Sequence, residues 1–159
     1  MIFTDLKRVL VTGPHRAGTT IATEMIAEEL GLRPVRESEL AHPRFEGDTE
    51  PSLSEEDIRG FEEGVLQGAT TFKWLPEIAD HFDAIVVVKR NAEDIIRSQL
   101  KYRGRQLDNP KAKYDLVSHL ISNGFLPFVI WVSYEDFLSK HPRFCTERGE
   151  WAPRQTCPC

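Results

Sequence analysis

The sequence predicts a single α/β domain with a mainly parallel sheet of about four strands flanked by helices. Three observations carry this. Arg8-Val9-Leu10-Val11-Thr12-Gly13 runs an unbroken apolar, β-branched core into a glycine turn, the pattern of a buried parallel strand. Residues 19–30 follow at once with Ile21, Ala22, Met25, Ile26 and Leu30 on one side of a 3.6-residue repeat. Ala84-Ile85-Val86-Val87-Val88-Lys89 is a second such strand that again leads into a helix start. Strands alternating with helices imply right-handed crossovers and a ligand site at the C-terminal ends of the strands.

The remaining elements are assigned in order. Gly31 stops the first helix. From Arg33 to Leu53 three prolines, mixed charges and weak periodicity predict an irregular excursion placed to cover a site. Ser54-Glu55-Glu56-Asp57 reads as a capped helix N-terminus, and that helix is expected to reach Gln67. A strand is expected over Ala69 to Lys73, a short helix over Leu75 to Phe82, and a helix capped by Asn91 running to about Tyr102. Asp108-Asn109-Pro110 marks a break, Tyr114 to Ser122 a helix ending near Gly124, Phe128 to Val132 a strand, and Glu135 the start of a last short helix. Residues 1–144 are expected to form the domain and 145–159 a C-terminal tail.

A chain of 159 residues suits one domain, and its 40% hydrophobic and 28% charged residues are ordinary for a globular protein. Nothing approaches the ~18 apolar residues of a membrane span, and the N-terminus lacks the pattern of a secretory signal, so no membrane association and a cytoplasmic setting are expected. The net charge of −5, with acids concentrated between Glu46 and Glu63, argues against nucleic acid as a partner. Three cysteines, two of them Cys157 and Cys159 at the very end, do not form a disulfide framework. With no His/Cys cluster nearby to complete a tetrahedral set, no metal is expected.

The chemistry concentrates in Gly13-Pro14-His15-Arg16-Ala17-Gly18-Thr19-Thr20. The spacing of its glycines matches a P-loop-like phosphate loop, in which backbone N–H groups converge on an anion at a helix N-terminus and threonine hydroxyls add donors. The lysine of nucleotide triphosphatases is absent, its position being Thr19, and the loop's cation comes earlier, at Arg16. A glycine strand-to-helix turn with threonine caps would use the same residue types without binding anything.

Arg16-Ala17-Gly18-Thr19-Thr20 resembles the loop with which sulfotransferases bind the 5′-phosphate of 3′-phosphoadenosine 5′-phosphosulfate. Arg90-Asn91-Ala92-Glu93-Asp94-Ile95-Ile96-Arg97-Ser98 resembles that family's 3′-phosphate motif, an arginine at a strand end and a serine eight residues on. Tyr134-Glu135-Asp136-Phe137-Leu138 is similar to its Tyr-Glu-Asp-Leu segment, assigned here to packing and capping. Together the three span Val9 to Leu138 in family order. The resemblance implies a sulfotransferase with Gly13 to Thr20, Arg90 and Ser98 as nucleotide-binding residues, Asp94 in a structural role, and 3′-phosphoadenosine 5′-phosphosulfate as co-substrate. Its acceptor would be a hydroxyl or amine of a small molecule, glycan or peptide. Arg16 would stabilise the departing phosphate.

Two segments depart from the family. Where many members carry Lys-Thr-His-Leu-Pro, with histidine as base, this chain has Phe72-Lys73-Trp74-Leu75-Pro76, and Trp74 cannot accept a proton. Glu77 is the first candidate base, with His15, Glu37, Glu39 and His42 behind it, and Lys73 is a candidate to neutralise the transferred group. The family's late Arg-Lys-Gly segment is matched only faintly by Arg148-Gly149-Glu150-Trp151, which leaves the pocket weaker or completed by a second copy in a homo-oligomer. The alternatives are a P-loop nucleotide-dependent kinase, opposed by Thr19 and by the absence of an acid after the strand at 84–89, and a non-catalytic nucleotide-binding module.

Overall fold

The computed structural model describes residues 5–40, 53–126, 128–136, 143–145 and 150–152. Strand β1 (Arg8–Thr12) is followed by helix α1 (Thr19–Leu30), β2 (Pro34–Val35), the single turn α2 (Glu37–Leu40) and α3 (Glu55–Arg59). Then come β3 (Gly64–Gln67), a 3-10 helix (Ala69–Trp74), α4 (Leu75–Ile78) and β4 (Ala84–Lys89). The chain continues through α5 (Ala92–Arg103), α6 (Pro110–Ser122) and β5 (Val129–Ser133), with a helical turn opening at Tyr134. Strands β6 (Arg143–Cys145) and β7 (Glu150–Ala152) form a separate antiparallel pair.

The main sheet is parallel throughout, in the order β2-β3-β1-β4-β5. Alternation along its strands makes two cores. Leu10, Leu66, Ile85 and Val87 face one side and pack with Ile58, Phe72, Leu75, Ile78, Val117 and Leu120 from the α3, α4 and α6 side. Val9, Val11, Val65, Val86 and Val88 face the other and pack with Ala22 and Ala27 of α1. Burying each such side chain contributes about 1.5–3 kcal/mol before entropy is charged. Both faces of β1 and β4 are therefore fixed, and their C-terminal ends have little freedom to move. Asp83 serves the opposite end, accepting the Lys7 and Arg8 amides at 2.8 and 2.9 Å. The Arg8 amide is the largest influence holding its carboxyl below the ordinary range.

Local expectations hold where capping chemistry is explicit. Gly31 closes α1 at φ 66°, Ser54 and Asp57 form a reciprocal capping box on α3, and Asn91 caps α5 by accepting the Glu93 and Asp94 amides. The sheet has five strands rather than about four. The helix expected to reach Gln67 ends at Arg59, and the strand expected over Ala69 to Lys73 lies at Gly64–Gln67 instead. Gly60 terminates the helix, and Gly64, at φ 129°, takes a conformation that a helix excludes. Residues 69–74 curl into 3-10 turns because the Thr71 hydroxyl closes onto the Gly68 carbonyl at 2.6 Å. The added strand is Pro34–Val35, at the sheet edge where proline's missing N–H is tolerated. Helix α6 begins at Pro110, four residues before expected, capped by Asn109. Among the described residues no helix is long and apolar enough to cross a membrane.

Candidate functional site

The C-terminal end of β1 passes directly into the loop. Thr12 is buried, its hydroxyl donating to the Gly68 carbonyl at 2.7 Å, and Gly13 passes so close to β4 that a Cβ would stand 3.1 Å from the Val88 carbonyl oxygen. A turn closes from the Ala17 amide to the Pro14 carbonyl. Arg16 is left-handed at φ 69° and Gly18 at φ 99°. Helix α1 then starts at Thr19 with Gly18 as N-cap and no side-chain cap. Among the described residues no side chain caps its first turn, the positive end of a helix of 12 residues and a place where backbone amides can take an anion.

Two arginines meet at this loop. The Arg16 Nε donates to the Ser98 hydroxyl at 3.1 Å, and its guanidinium lies over the Tyr102 ring at 4.4 Å. Arg90, at the end of β4, donates from Nη1 to the Arg16 carbonyl at 2.8 Å and lies 4.3 Å over the Tyr134 ring. Tyr134 in turn packs on Gly18, where a Cβ would fall 2.4 Å from its ring. A cleft of about 600 Å³ opens beside them. Among the described residues Arg16, Arg36, Arg90 and Arg103 line it with one carboxylate, Glu37, so arginine outnumbers acid on its lining in a chain of net charge −5.

The loop is held from behind by Asp108. Its Oδ2 accepts the His15 amide at 2.9 Å and pairs with the Lys113 ammonium at 2.9 Å, while Oδ1 accepts the Gln99 amide at 2.7 Å. Gln99 also donates to the His15 carbonyl at 2.8 Å and accepts the Leu107 amide at 2.7 Å. Burial pushes the Asp108 carboxyl up, but His15, Lys113 and Gln99 outweigh it and hold it below the ordinary range. Across the cleft Gln67, ending β3, donates to the Thr20 hydroxyl at 2.8 Å and reaches Thr19 at 3.4 Å.

His15, Arg16, Gly18, Thr19, Thr20 and Arg90 line the cleft, while Gly13, Pro14 and Ala17 of the loop are buried and do not line it. Ser98 joins them through Arg16. Lys73 and Glu77 are not brought in. Both are exposed and neither lines the cleft; the Lys73 ammonium sits 5.4 Å from the Trp74 ring, and the Glu77 carbonyl takes a bond from Arg59. Trp74 is half-buried and donates to the Leu53 carbonyl at 3.1 Å. Glu39 turns to Arg33 and the Arg36 amide. His42, Phe137, Leu138, Arg148 and Gly149 lie outside the described residues. Sequence reasoning did not find Gln67, Tyr102 or Asp108, which reach the loop from elements distant in the chain, or Thr70, which lines the cleft and meets Glu37. No cluster of three or more His, Cys, Asp or Glu able to hold a metal occurs among the described residues.

No family profile matches the chain, and no curated protein matches it in sequence. Among solved structures, a shikimate kinase from Acinetobacter baumannii in complex with shikimate is similar at TM-score 0.50 and 19% identity, over 80% of this chain and 84% of that one. A gluconokinase from Sinorhizobium meliloti 1021 aligns at TM-score 0.46 and 16% identity, over 80% and 82%. The first likeness shows the fold, a P-loop-type α/β arrangement with the parallel five-stranded sheet described above.

Two substitutions test the architecture of the loop. Gly18→Ala meets both the Tyr134 ring and a left-handed backbone, which alone costs about 1–2 kcal/mol. Chemical denaturation is expected to show a loss larger than this, and Tyr134→Ala added to it should recover only the steric part. Asp108 contributes stability that is complete above the ordinary carboxylate value of about 3.9 and drains as pH falls through its lowered folded value. Asp108→Asn is therefore expected to lose roughly 1–3 kcal/mol at neutral pH and to flatten the fall of melting temperature on acidification. A variant with the wild-type acid dependence would show that this carboxylate does not hold the loop.

Proposed function

We propose that this chain is a transferase that moves a sulfuryl group from 3′-phosphoadenosine 5′-phosphosulfate to a hydroxyl or amine acceptor held in the 600 Å³ cleft. The observation that carries this reading is the meeting of Arg16, Arg90 and Ser98 at one corner of the loop. Phosphates at the two ends of one nucleotide call for two anion sites, and the chain brings a second arginine and a hydroxyl within reach of the first site. The uncapped amides of α1 and the threonine hydroxyls would take the 5′-phosphate, and Arg90 with Ser98 the 3′-phosphate. In-line transfer develops charge on the leaving 5′-phosphate, which Arg16 and the first-turn amides are placed to stabilise.

A kinase reading has its own support, since the solved structures named above are kinases and lie nearer to it than to sulfuryl transfer. Likeness at 19% identity speaks for the fold, which both reactions use. Two residues count against triphosphate chemistry at this loop. Thr19 stands where the loop lysine cradles the β- and γ-phosphates. Gln67 places a neutral amide on the Thr20 hydroxyl, where magnesium would call for an acid beside that hydroxyl.

Calorimetry with three nucleotides separates the readings. 3′-Phosphoadenosine 5′-phosphate is expected to bind more tightly than adenosine 5′-phosphate by about 1.5–3 kcal/mol, roughly ten- to a hundredfold in Kd. Arg90→Ala is expected to erase that preference, lowering bisphosphate affinity by more than monophosphate affinity. Tightest binding by ATP with magnesium, or a bisphosphate preference that survives Arg90→Ala, would move the conclusion to the kinase.

A further inference from the structure

Transfer to an O–H or N–H acceptor needs somewhere for the proton to go, and the position at which the resembling family carries histidine is filled by Trp74. Glu37 is the single carboxylate among the described residues lining the cleft that also holds Arg16, Thr20 and Gln67. It is not a loose surface acid. Its Oε1 accepts the Thr70 amide at 3.1 Å and its Oε2 the Thr70 hydroxyl at 2.7 Å. That hydroxyl is itself oriented, because it accepts the Leu53 amide at 3.4 Å and so directs its one proton to Glu37. The Leu53 carbonyl in turn takes the Trp74 indole N–H. With one bond to each oxygen among the described residues, each has a lone pair for a ligand.

We infer that Glu37 is the proton acceptor for the attacking group, with Thr70 as its positioning residue and Trp74 as the anchor behind Thr70. This rests on the transfer reaction proposed above. The acceptor oxygen or nitrogen forms its bond to sulfur as the bond from sulfur to the 5′-phosphate oxygen breaks. The electron pair of the broken bond stays on that phosphate, and the acceptor's proton passes to the Glu37 carboxylate. The indole that cannot act as base thereby keeps a structural part in placing the group that does. Glu77, exposed and outside the cleft, is not required.

The test uses the full chain as wild type, Glu37→Gln, Thr70→Val and Thr70→Ser. Each is measured for 3′-phosphoadenosine 5′-phosphate affinity by calorimetry. Each is also measured for release of label from the sulfate donor to hydroxyl and amine acceptors and to water alone. Glu37→Gln is expected to bind the nucleotide as wild type does and to lose roughly 100- to 10,000-fold in transfer. Thr70→Val should lose roughly 10- to 100-fold in kcat with the donor KM unchanged, and Thr70→Ser should restore it. Transfer by Glu37→Gln at the wild-type rate, or nucleotide affinity lost in step with transfer, overturns the assignment. A wild type that turns over ATP and not the sulfate donor overturns the donor instead, and the same Glu37→Gln loss is then expected in phosphoryl transfer. Turnover of neither donor overturns both.

Discussion

An arginine at φ 69° followed two residues later by a glycine at φ 99° turns the chain from β1 into α1. Only glycine takes φ 99° without strain, and even glycine is confined here by the Tyr134 ring against it. Arg16 adopts its left-handed backbone at a cost, and the Arg90 bond to its carbonyl offsets part of it. The same geometry denies α1 a side-chain cap. What would be a defect in a structural helix becomes a set of directed donors at an arginine-lined cleft.

The charges around this turn are held by bonds that a ligand would replace. Ser98 accepts from Arg16, and Arg90 donates to the Arg16 carbonyl, so each group of the proposed 3′-phosphate site is bonded to the loop itself. Each guanidinium is held over its own ring, Arg16 on Tyr102 and Arg90 on Tyr134, a cation–π contact that offsets part of the cost of bringing two like charges to one loop. Behind them, Asp108 and Gln99 bind both the amide and the carbonyl of His15, so the loop is tied to α5 and to the start of α6. A ligand at the loop would therefore meet a frame fixed by the sheet on one side and by this buried network on the other.

Much of this was legible where the chemistry is local. The apolar runs of β1 and β4, the caps at Ser54 and Asn91 and the stop at Gly31 depend on residues close in sequence. The spacing from Arg90 to Ser98 spans a strand end and two helical turns and predicts that these two converge, but the bond that Ser98 makes to Arg16 was not legible, because it crosses 82 residues. Strand β3 was not, since Val65 and Leu66 are its whole apolar signal and the glycines at 60 and 64 break the helix that the preceding acids suggest. With β3 misplaced, Gln67 could not be seen beside Thr20. The pairing of Glu37 with Thr70 crosses 33 residues and depends on a 3-10 turn read as a strand. Tyr134 was expected to pack and cap, and it does pack, against Gly18 of the loop.

The central claim is that one nucleotide spans two anion sites, the uncapped start of α1 and the pair Arg90 and Ser98. A crystal structure of the chain with 3′-phosphoadenosine 5′-phosphate tests it directly. The account predicts the 5′-phosphate on the amides of residues 18–20 and the 3′-phosphate within about 2.7–3.2 Å of the Arg90 guanidinium and the Ser98 hydroxyl, with Ser98 released from Arg16. A bound nucleotide whose 3′-phosphate points to solvent, with the Arg16 to Ser98 bond intact, would contradict it.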